Sequence, residues 1–209
     1  MLMARIKTVD RDQVTSQTRQ TLLDAAAEEF AQQGYDQANI NTISTKAGFA
    51  KGTIYNYFPS KQALLLALID GIAQEHLEYI RSAILPVEDP ASRLECFFQA
   101  GFEYVAHHTH QAKVMFNTIY TSNQEQKEYC FRAYQPMFRL VAEQILLPGM
   151  QQGIFRQAEL EPTVLLLMTI YLGTASQVDK QGHPWLDSDQ LAQFALNGLR
   201  REVNHRYMG

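Results

Sequence analysis

Apolar residues recur three or four positions apart along almost the whole of this sequence. Leu22, Ala26 and Phe30 are an example, because residues four apart lie on one face of an α-helix. No stretch alternates apolar and polar residues in the way that is typical of a half-buried strand. The pattern predicts an all-α protein of about nine helices, separated by glycine, proline and capping residues. The predicted helices cover residues 17–33, 39–47, 51–57, 60–85, 90–107, 111–120, 122–152, 161–178 and 187–199.

Several of these predicted helices have marked starts or interruptions. Asn39 is a good N-cap, and Asp89 followed by Pro90 is an N-cap with proline at the first helical position. Ser122 and Glu125 form a capping-box pattern at the start of the seventh helix. Pro136 lies inside that helix and should bend or break it, because proline has no backbone N–H to donate.

The composition indicates a folded protein of a reducing compartment. Apolar residues make up 46% of the chain and charged residues 19%. Cys96 and Cys130 match no metal-binding spacing and fit a reducing cytoplasm. Residues 1–20 lack the apolar core of a signal peptide, and the most apolar stretch, 164–172, is about half of the ~20 residues that span a bilayer. We therefore expect a cytoplasmic protein that is not embedded in a membrane.

The charge is unevenly distributed. The net charge is −4, but residues 1–61 carry seven basic and six acidic residues, a net charge of +1, whereas the rest carries −5. An acidic body behind a near-neutral N-terminal head would repel a polyanion everywhere except at the head.

The head has the organisation of a helix-turn-helix. Two short predicted helices are joined by only three residues, Gly48 to Ala50, and neither can bury an apolar face alone. The helix at 17–33 supplies the third member of a three-helix unit. Such a unit presents its second short helix outward, where it fits the major groove of DNA.

The outward residues of this helix suit contact with DNA. Lysines and tyrosine hydroxyls pair with phosphates, whereas Thr53 and Asn56 are short enough to reach base edges. Thr42, near the start of the preceding helix, offers a hydroxyl and an amide to another phosphate. The candidate DNA contacts are Thr42, Lys51, Gly52, Thr53, Tyr55, Asn56, Tyr57 and Lys61.

Simpler interpretations exist for these residues one at a time. Tyr55 and Tyr57 could be core aromatics, and Lys51 and Lys61 could be solvated surface charges. The basic residues of the N-terminal segment, residues 1–15, could follow the DNA backbone, but we expect a flexible tail without a role.

The combined pattern resembles the TetR family. The run AGFAKGTIYNYF at residues 47–58, with Ser60, Lys61 and Leu64, resembles that family's helix-turn-helix, and LLDAAAEEF at 22–30 with Gly34 and Tyr35 resembles its first helix. The resemblance covers residues 16–70, with the motif at about 39–58. Ala50 departs from the pattern, since the family usually has Ser or Thr there, and the lost cap costs ~1 kcal/mol. Asn56 varies among relatives and would define this protein's own operator.

The resemblance implies that residues 75–209 form a helical domain for ligand binding and dimerisation. The middle helices are rich in aromatic residues and methionine, which can line an apolar cavity, although most of them should simply fill the core. The candidate pocket residues are Phe98, Phe102, Met115, Phe116, Tyr120, Tyr134, Phe138, Met168 and Tyr171. The last two helices would pair with their copies, with Leu165, Leu172, Ser176, Leu191, Phe194 and Leu199 as candidate interface residues.

A histidine cluster stands out in the body. His107, His108 and His110 lie close together, but a metal site needs three or four converging ligands and no further group is evident. We expect these histidines to end a helix, where their positive form suits the helix dipole, and we expect no metal site.

The function implied by the resemblance is that of a transcriptional repressor. It would bind a palindromic operator as a homodimer and be released by a small, largely apolar or aromatic effector, with no cofactor. A ligand-independent regulator or an activator of the same fold is the main alternative. An enzyme is a weaker one, because no GxSxG, HExxH, phosphate-binding loop or acid–base pair is present.

Overall fold

The structure is a computed structural model that describes residues 2–178 and 184–200. Within them the regular secondary structure is helical, apart from the isolated bridges Phe155–Arg200 and Val178–Pro184, so the all-α prediction is confirmed. Each of the nine predicted segments contains a helix in the described part of the chain. The elements are α1 (Leu2–Gln37), α2 (Ile40–Lys46), a 3₁₀ helix (Thr53–Asn56), α3 (Lys61–Ile84), α4 (Pro90–His107), α5 (Thr109–Ile119), α6 (Gln124–Val141), a π-helical segment (Ala142–Leu146), α7 (Leu147–Gln151), α8 (Leu160–Ala175) and α9 (Ser188–Leu199). No helix among these residues combines the length and hydrophobicity that a membrane span requires.

The chain divides into two compact units. The head unit consists of the chain up to Ile72 together with His110–Cys130, and the body unit consists of Ala73–Thr109 together with the chain from Phe131 onward. The predicted boundaries, 16–70 and 75–209, place residues 110–130 in the body. In the structure this segment groups with the head, where Tyr129 donates a hydrogen bond of 2.7 Å to Asp70 on α3. The assignment of a separate function to each domain stays a prediction.

Helix α1 is longer than predicted at both ends. It begins at Leu2, so it includes most of the segment 1–15 that we expected to be a tail; the mobility of that segment stays a prediction. Gly34 was expected to end the helix. Its backbone does leave the helical region, with a φ of 74°, but one further turn follows, up to Gln37. Glycine adopts this conformation without the steric cost that a side chain would add.

The core of the head follows the predicted stripe. Leu22, Ala26 and Phe30 of α1 are all buried. Ile43 of α2 and Ile54 of the 3₁₀ helix are buried as well, so the two short elements share one apolar core with α1. This shared core is what two helices of this length need, because neither could bury an apolar face alone.

The helix that contains Pro136 is irregular, but not at Pro136, where a bend or break is predicted. Helix α6 continues through Pro136 to Val141, and the irregular segment is the π-helical turn Ala142–Leu146. Pro148 explains this position, because it cannot donate to the carbonyl of Gln144 and its ring would crowd that carbonyl. The Gln144 carbonyl instead accepts a hydrogen bond of 2.8 Å from the guanidinium of Arg93 on α4.

Helix α4 is the centre of the body. It packs against α8, α9 and the π-helical segment. Gly101 of α4 allows the close approach of α8, since a Cβ at this position would lie 2.6 Å from the hydroxyl oxygen of Tyr171. The body therefore closes around an aromatic layer between α4 and α8.

Candidate nucleic-acid interface and effector site

The turn between α2 and the 3₁₀ helix is built from two glycines and a buried serine. Gly48 and Gly52 have φ values of 82° and 89°, which favour glycine. Ser44, fully buried on α2, donates a hydrogen bond of 2.7 Å from its hydroxyl to the carbonyl of Ala50. At the start of α2, the Asn39 side chain accepts from the amide of Asn41, as its predicted role as N-cap requires.

Ala50 is not the cap of the recognition element in this structure. The N-cap of the 3₁₀ helix is Gly52, and it makes no side-chain capping bond. The carbonyl of Ala50 accepts from the Thr53 amide at 3.0 Å and from the Ser44 hydroxyl. Sequence reasoning missed Ser44. The available signal was its position as a polar residue on the same face of α2 as the apolar Ile40 and Ile43.

The recognition element separates inward from outward residues. Ile54 and Phe58 are buried, whereas Asn56 and Lys51 are exposed and Tyr55 has 53% of its surface exposed. The alternative that Tyr55 is a core aromatic is therefore excluded. Thr53, Gly52, Tyr57 and Thr42 are half-buried.

A surface depression lies beside this element. It has a volume of about 380 Å³, large enough for a phosphate group, and presents hydroxyl, amide and ammonium groups. Its lining contains two of the candidate DNA contacts, Thr42 and Lys51. The other lining residues are Asn39, Asn41, Thr45 and Lys46.

Lys61 is held differently from Lys51. Its ammonium donates a hydrogen bond of 2.9 Å to the carbonyl of Asp36 and lies 4.9 Å from the centre of the Tyr35 ring. The Asp36 carbonyl belongs to the last turn of α1, where backbone carbonyls lack helical partners. Lys61 therefore ties the start of α3 to the end of α1 in this structure.

Lys46 ties α2 to α1 and was missed by sequence reasoning. Its ammonium lies 2.9 Å from a carboxylate oxygen of Glu28 and 3.2 Å from one of Glu29. The hydrogen bond from Lys46 lowers the pKa of Glu28, and the bond to Glu28 raises the pKa of Lys46. Glu29 is buried and also accepts from the amide of Asn39. These contacts fix the orientation of α2.

The structure distributes the nine candidate pocket residues over both units. Met115, Phe116 and Tyr120 belong to the head unit, and Tyr120 is exposed. Six belong to the body: Phe98, Phe102, Tyr134, Phe138, Met168 and Tyr171. Five of these six are buried, whereas Phe138 lines an open groove between α6 and α8.

That groove has a volume of about 550 Å³ and a mixed lining. Phe131 and Phe138 form a tilted ring pair with centroids 6.4 Å apart, and Arg139 and Glu143 add charge. The lining residues are Phe131, Gln135, Phe138, Arg139, Ala142, Glu143, Leu160, Glu161 and Val164.

A buried histidine lies at the centre of the body's aromatic layer. His76 of α3 is fully buried, and its two ring nitrogens lie 3.4 Å from the Tyr134 hydroxyl and 3.1 Å from the Tyr171 hydroxyl. Its ring stacks on Tyr104 at 4.2 Å, and Tyr104 stacks in turn on His108. Burial, followed by the charge on His108, lowers the pKa of His76 to about 3, so the ring is neutral at physiological pH. Sequence reasoning missed His76, whose signal was a histidine within the apolar stripe of α3.

Two of the three clustered histidines, His107 and His108, lie at the end of α4, as expected, whereas His110 lies in the first turn of α5. His107 is the last residue of α4, and its Nδ1 donates to the carbonyl of Glu103 at 2.8 Å. His108 Nδ1 lies 3.7 Å from Glu75.

The six candidate interface residues have different environments within one protomer. Leu165 and Phe194 are exposed, by 50% and 67%, whereas Leu172, Leu191 and Leu199 are buried and Ser176 is half-buried. Leu166 and Trp185, which are not among the six, are exposed by 62% and 76%. The exposed apolar side chains of α8 and α9 are the ones that remain available to a second copy.

Comparison with known proteins agrees with this geometry. Residues 22–68 match the family model of bacterial regulatory proteins of the tetR family. The chain is 30% identical over 104 residues to the HTH-type transcriptional activator FasR of Mycolicibacterium smegmatis, covering 50% of this chain and about half of that relative, 48%. It is 26% identical over 182 residues to the fatty acid metabolism regulator protein of Bacillus subtilis, covering 87% of this chain and 89% of that one.

The fold is shared with a solved regulator. The crystal structure of FadR from Bacillus subtilis in complex with stearoyl-CoA superposes with a TM-score of 0.75 at 23% identity, covering 85% of this chain and 95% of FadR. The helix-turn-helix geometry, the family match at residues 22–68 and the shared fold agree with one another. Residues 22–68 therefore carry the helix-turn-helix domain of the tetR family of bacterial regulatory proteins, and the chain shares its fold with TetR-like transcriptional regulators.

Proposed function

We propose that this protein is a repressor that binds a palindromic DNA operator as a homodimer and leaves it when a small, largely apolar effector binds the body unit. Two copies of the head in a symmetric dimer would read two half-sites one helical turn apart. Because the partner would be chromosomal DNA, we expect the protein to act in the cytoplasm.

The outward presentation of Tyr55 and Asn56 is the observation that carries the DNA-binding part of this proposal. Their neighbours Ile54 and Phe58 are buried in the head, so the backbone between them is held while the two polar side chains face outward. An exposed amide can pair bidentately with adenine, and a phenolic hydroxyl can donate to a phosphate. Lys51 adds an exposed positive charge next to this element.

Selection from random-sequence DNA tests the proposal. We expect the wild-type protein to enrich a palindrome. Asn56→Ala should relax specificity at one position of each half-site and cost ~1–3 kcal/mol there, because it removes a base contact. Tyr55→Ala should weaken binding to all sequences alike, because it removes a phosphate contact.

Asn117→Ala is the matched control, since Asn117 is an exposed asparagine on α5. It should leave both affinity and specificity unchanged. A folded dimer that enriches no sequence would refute the proposed function.

The buried aromatic residues and methionine of the body support an apolar effector. Phe98, Phe102 and Met168 are buried in the same unit as Tyr134 and Tyr171. FadR, which shares this fold, was solved with stearoyl-CoA, so an acyl-CoA is the first class of effector to examine. Titration of the protein–DNA complex with acyl-CoAs of increasing chain length should lower DNA affinity for at least one of them.

Activation is the second candidate, because the relative FasR is named an activator. The direction of regulation is measured by in vitro transcription from a promoter that carries the selected palindrome. A rise in transcript on addition of protein would replace repression by activation and leave the DNA-binding proposal intact.

A further inference from the structure

The polar groups in the interior of the body are concentrated at one point. Apart from tyrosines, His76 is the one buried ionisable side chain among the described residues of this unit. It lies where α3, α4, α6 and α8 meet. Its neighbours on these helices are the hydroxyl-bearing rings of Tyr104, Tyr134 and Tyr171. Beyond these rings the layer is apolar, with Phe97, Phe98 and Phe102 packed around Tyr171.

Apolar packing alone does not explain a buried polar cluster of this kind. An apolar core gains stability from filling space, whereas each buried polar group must first lose its hydration. The two hydroxyls satisfy the imidazole in this structure, and the cluster is therefore tolerated. Its chemistry, however, is that of a recognition site: a small number of polar groups within an apolar and aromatic surround.

We propose that His76, Tyr134 and Tyr171 form the polar anchor of the effector site, and that this anchor accepts an uncharged carbonyl or hydroxyl group rather than a carboxylate. The inference rests on the proposed effector-binding function of the body. The ligand class is therefore an ester, thioester, amide, ketone or alcohol attached to an apolar body.

The hydrogen-bonding capacity of the cluster supports an uncharged ligand. A neutral imidazole has one donor and one acceptor nitrogen, and a tyrosine hydroxyl can both donate and accept. The cluster can therefore offer a donor to a carbonyl oxygen or exchange both roles with an alcohol. The tyrosine protons stay in place at physiological pH, because burial raises the pKa of Tyr171 and of Tyr104.

The charges around the cluster act against an anionic ligand. A buried carboxylate needs a cationic partner, and the neutral imidazole of His76 is not one. The charged group that acts on the hydroxyl of Tyr104 is the carboxylate of Glu75, 3.4 Å away. Glu75 also lies 3.7 Å from His108, whose ring stacks on Tyr104. A carboxylate ligand would therefore face a negative charge and a partner already engaged.

The close contact between Tyr171 and Gly101 gives the anchor a means of responding to a ligand. The Tyr171 hydroxyl occupies the space that a side chain at position 101 would fill. A ligand group that takes its place at His76 must displace this ring, and α8, which carries Tyr171, also carries the exposed Leu165 and Leu166. Effector binding at the anchor is thereby linked to a helix of the proposed dimer interface.

Chain-matched ligand pairs test the proposal on the full-length dimer. The probes are straight-chain and phenyl-substituted carboxylic acids of short, medium and long chains, each compared with its own methyl ester. Dissociation constants are measured by calorimetry and by the ligand-induced rise in Tm. We expect esters to bind about tenfold more tightly than the matching acids, the effect of one lost hydrogen bond.

Three variants locate this preference. His76→Phe keeps a ring that can stack on Tyr104, and Tyr171→Phe removes only a hydroxyl; both should weaken ester binding about tenfold and abolish the difference between ester and acid. Tyr79→Phe is the control, because Tyr79 contacts the ring of Tyr104 but its hydroxyl bonds to the exposed Glu103. It should bind esters and acids as the wild type does. Tyr171→Phe keeps the test decisive should His76→Phe not fold.

Acids that bind as tightly as their esters would overturn the proposal, and so would esters that bind both variants with wild-type affinity. Failure of every pair to bind would overturn it as well. DNA binding by the ligand-free wild type is measured in parallel. A protein that selects a palindrome but binds no ester would retain the regulator function and lose the anchor.

Discussion

Two lysines of the head, Lys51 and Lys61, were expected to have the same role, but their surroundings in the structure differ. Lys51 is exposed beside the recognition element, whereas the ammonium of Lys61 is bonded to the Asp36 carbonyl and lies over the Tyr35 ring. A cation that already has partners within the protein gains less from a phosphate, because those contacts must first be broken. Contact between Lys61 and a DNA phosphate stays a prediction. The bond from Lys61 to the Asp36 carbonyl competes with that contact.

Salt dependence separates these two roles. Replacing Lys51 with glutamine should weaken binding to all DNA sequences. It should also make the slope of log K against log salt shallower by ~1.8 for the dimer, since each of the two protomers loses one phosphate contact worth ~0.9. Replacing Lys61 with glutamine should leave that slope unchanged and lower the free energy of unfolding by ~1–2 kcal/mol. Fluorescence anisotropy at several salt concentrations and chemical denaturation measure the two quantities. An equal loss of slope in both variants would show that Lys61 leaves Asp36 to bind phosphate.

Among the short elements of the head, α2 and the 3₁₀ helix depend on one side chain for their relative placement. The Ser44 hydroxyl bonds to the Ala50 carbonyl in the turn between them. Ser44→Ala should lower the free energy of unfolding by ~1 kcal/mol and weaken operator binding, because the turn that presents Tyr55 and Asn56 loses its link to α2. Thr21→Ala is the control, since Thr21 is an exposed threonine of the head whose hydroxyl bonds to the Gln17 carbonyl within α1. Equal operator affinity in the two variants would contradict this role.

The sequence predicts the elements better than their interruptions. Helical spacing locates the nine helical segments because the apolar stripe must face a core, and it identifies Ile54 and Phe58 as buried. The position of the π-helical turn follows from Pro148, but the donor that satisfies the freed Gln144 carbonyl is Arg93, which is distant in sequence and could not be identified from a local pattern. His76 was missed for the same reason, since its partners Tyr134 and Tyr171 come from helices far along the chain. Local patterns specify local structure, whereas polar partners inside a core depend on tertiary packing.

At the scale of the whole molecule, the body unit has two different apolar surfaces. One is the buried core around Tyr104 and Tyr171, and the other consists of exposed apolar side chains on α8 and α9. In a symmetric dimer of the kind proposed, pairing of α8 and α9 with their copies would cover these exposed apolar side chains. The buried Leu191 and Leu199 hold α9 within its own protomer, which leaves Phe194 on the outer face of the same helix.

Phe194→Glu should therefore convert the dimer to a folded monomer, because a carboxylate would be buried against an apolar partner surface. Sedimentation velocity measures the molecular mass, and DNA titration measures the affinity. Affinity for the full palindrome should fall by about a hundredfold, because the two heads are no longer linked. Affinity for a single half-site should change little. Tyr120→Glu is the matched control, an equally exposed aromatic residue on the head unit, and should stay dimeric. Should Phe194→Glu also stay dimeric, the interface would not include the outer face of α9, and the groove between α6 and α8, with the exposed Phe131, would be the next surface to vary.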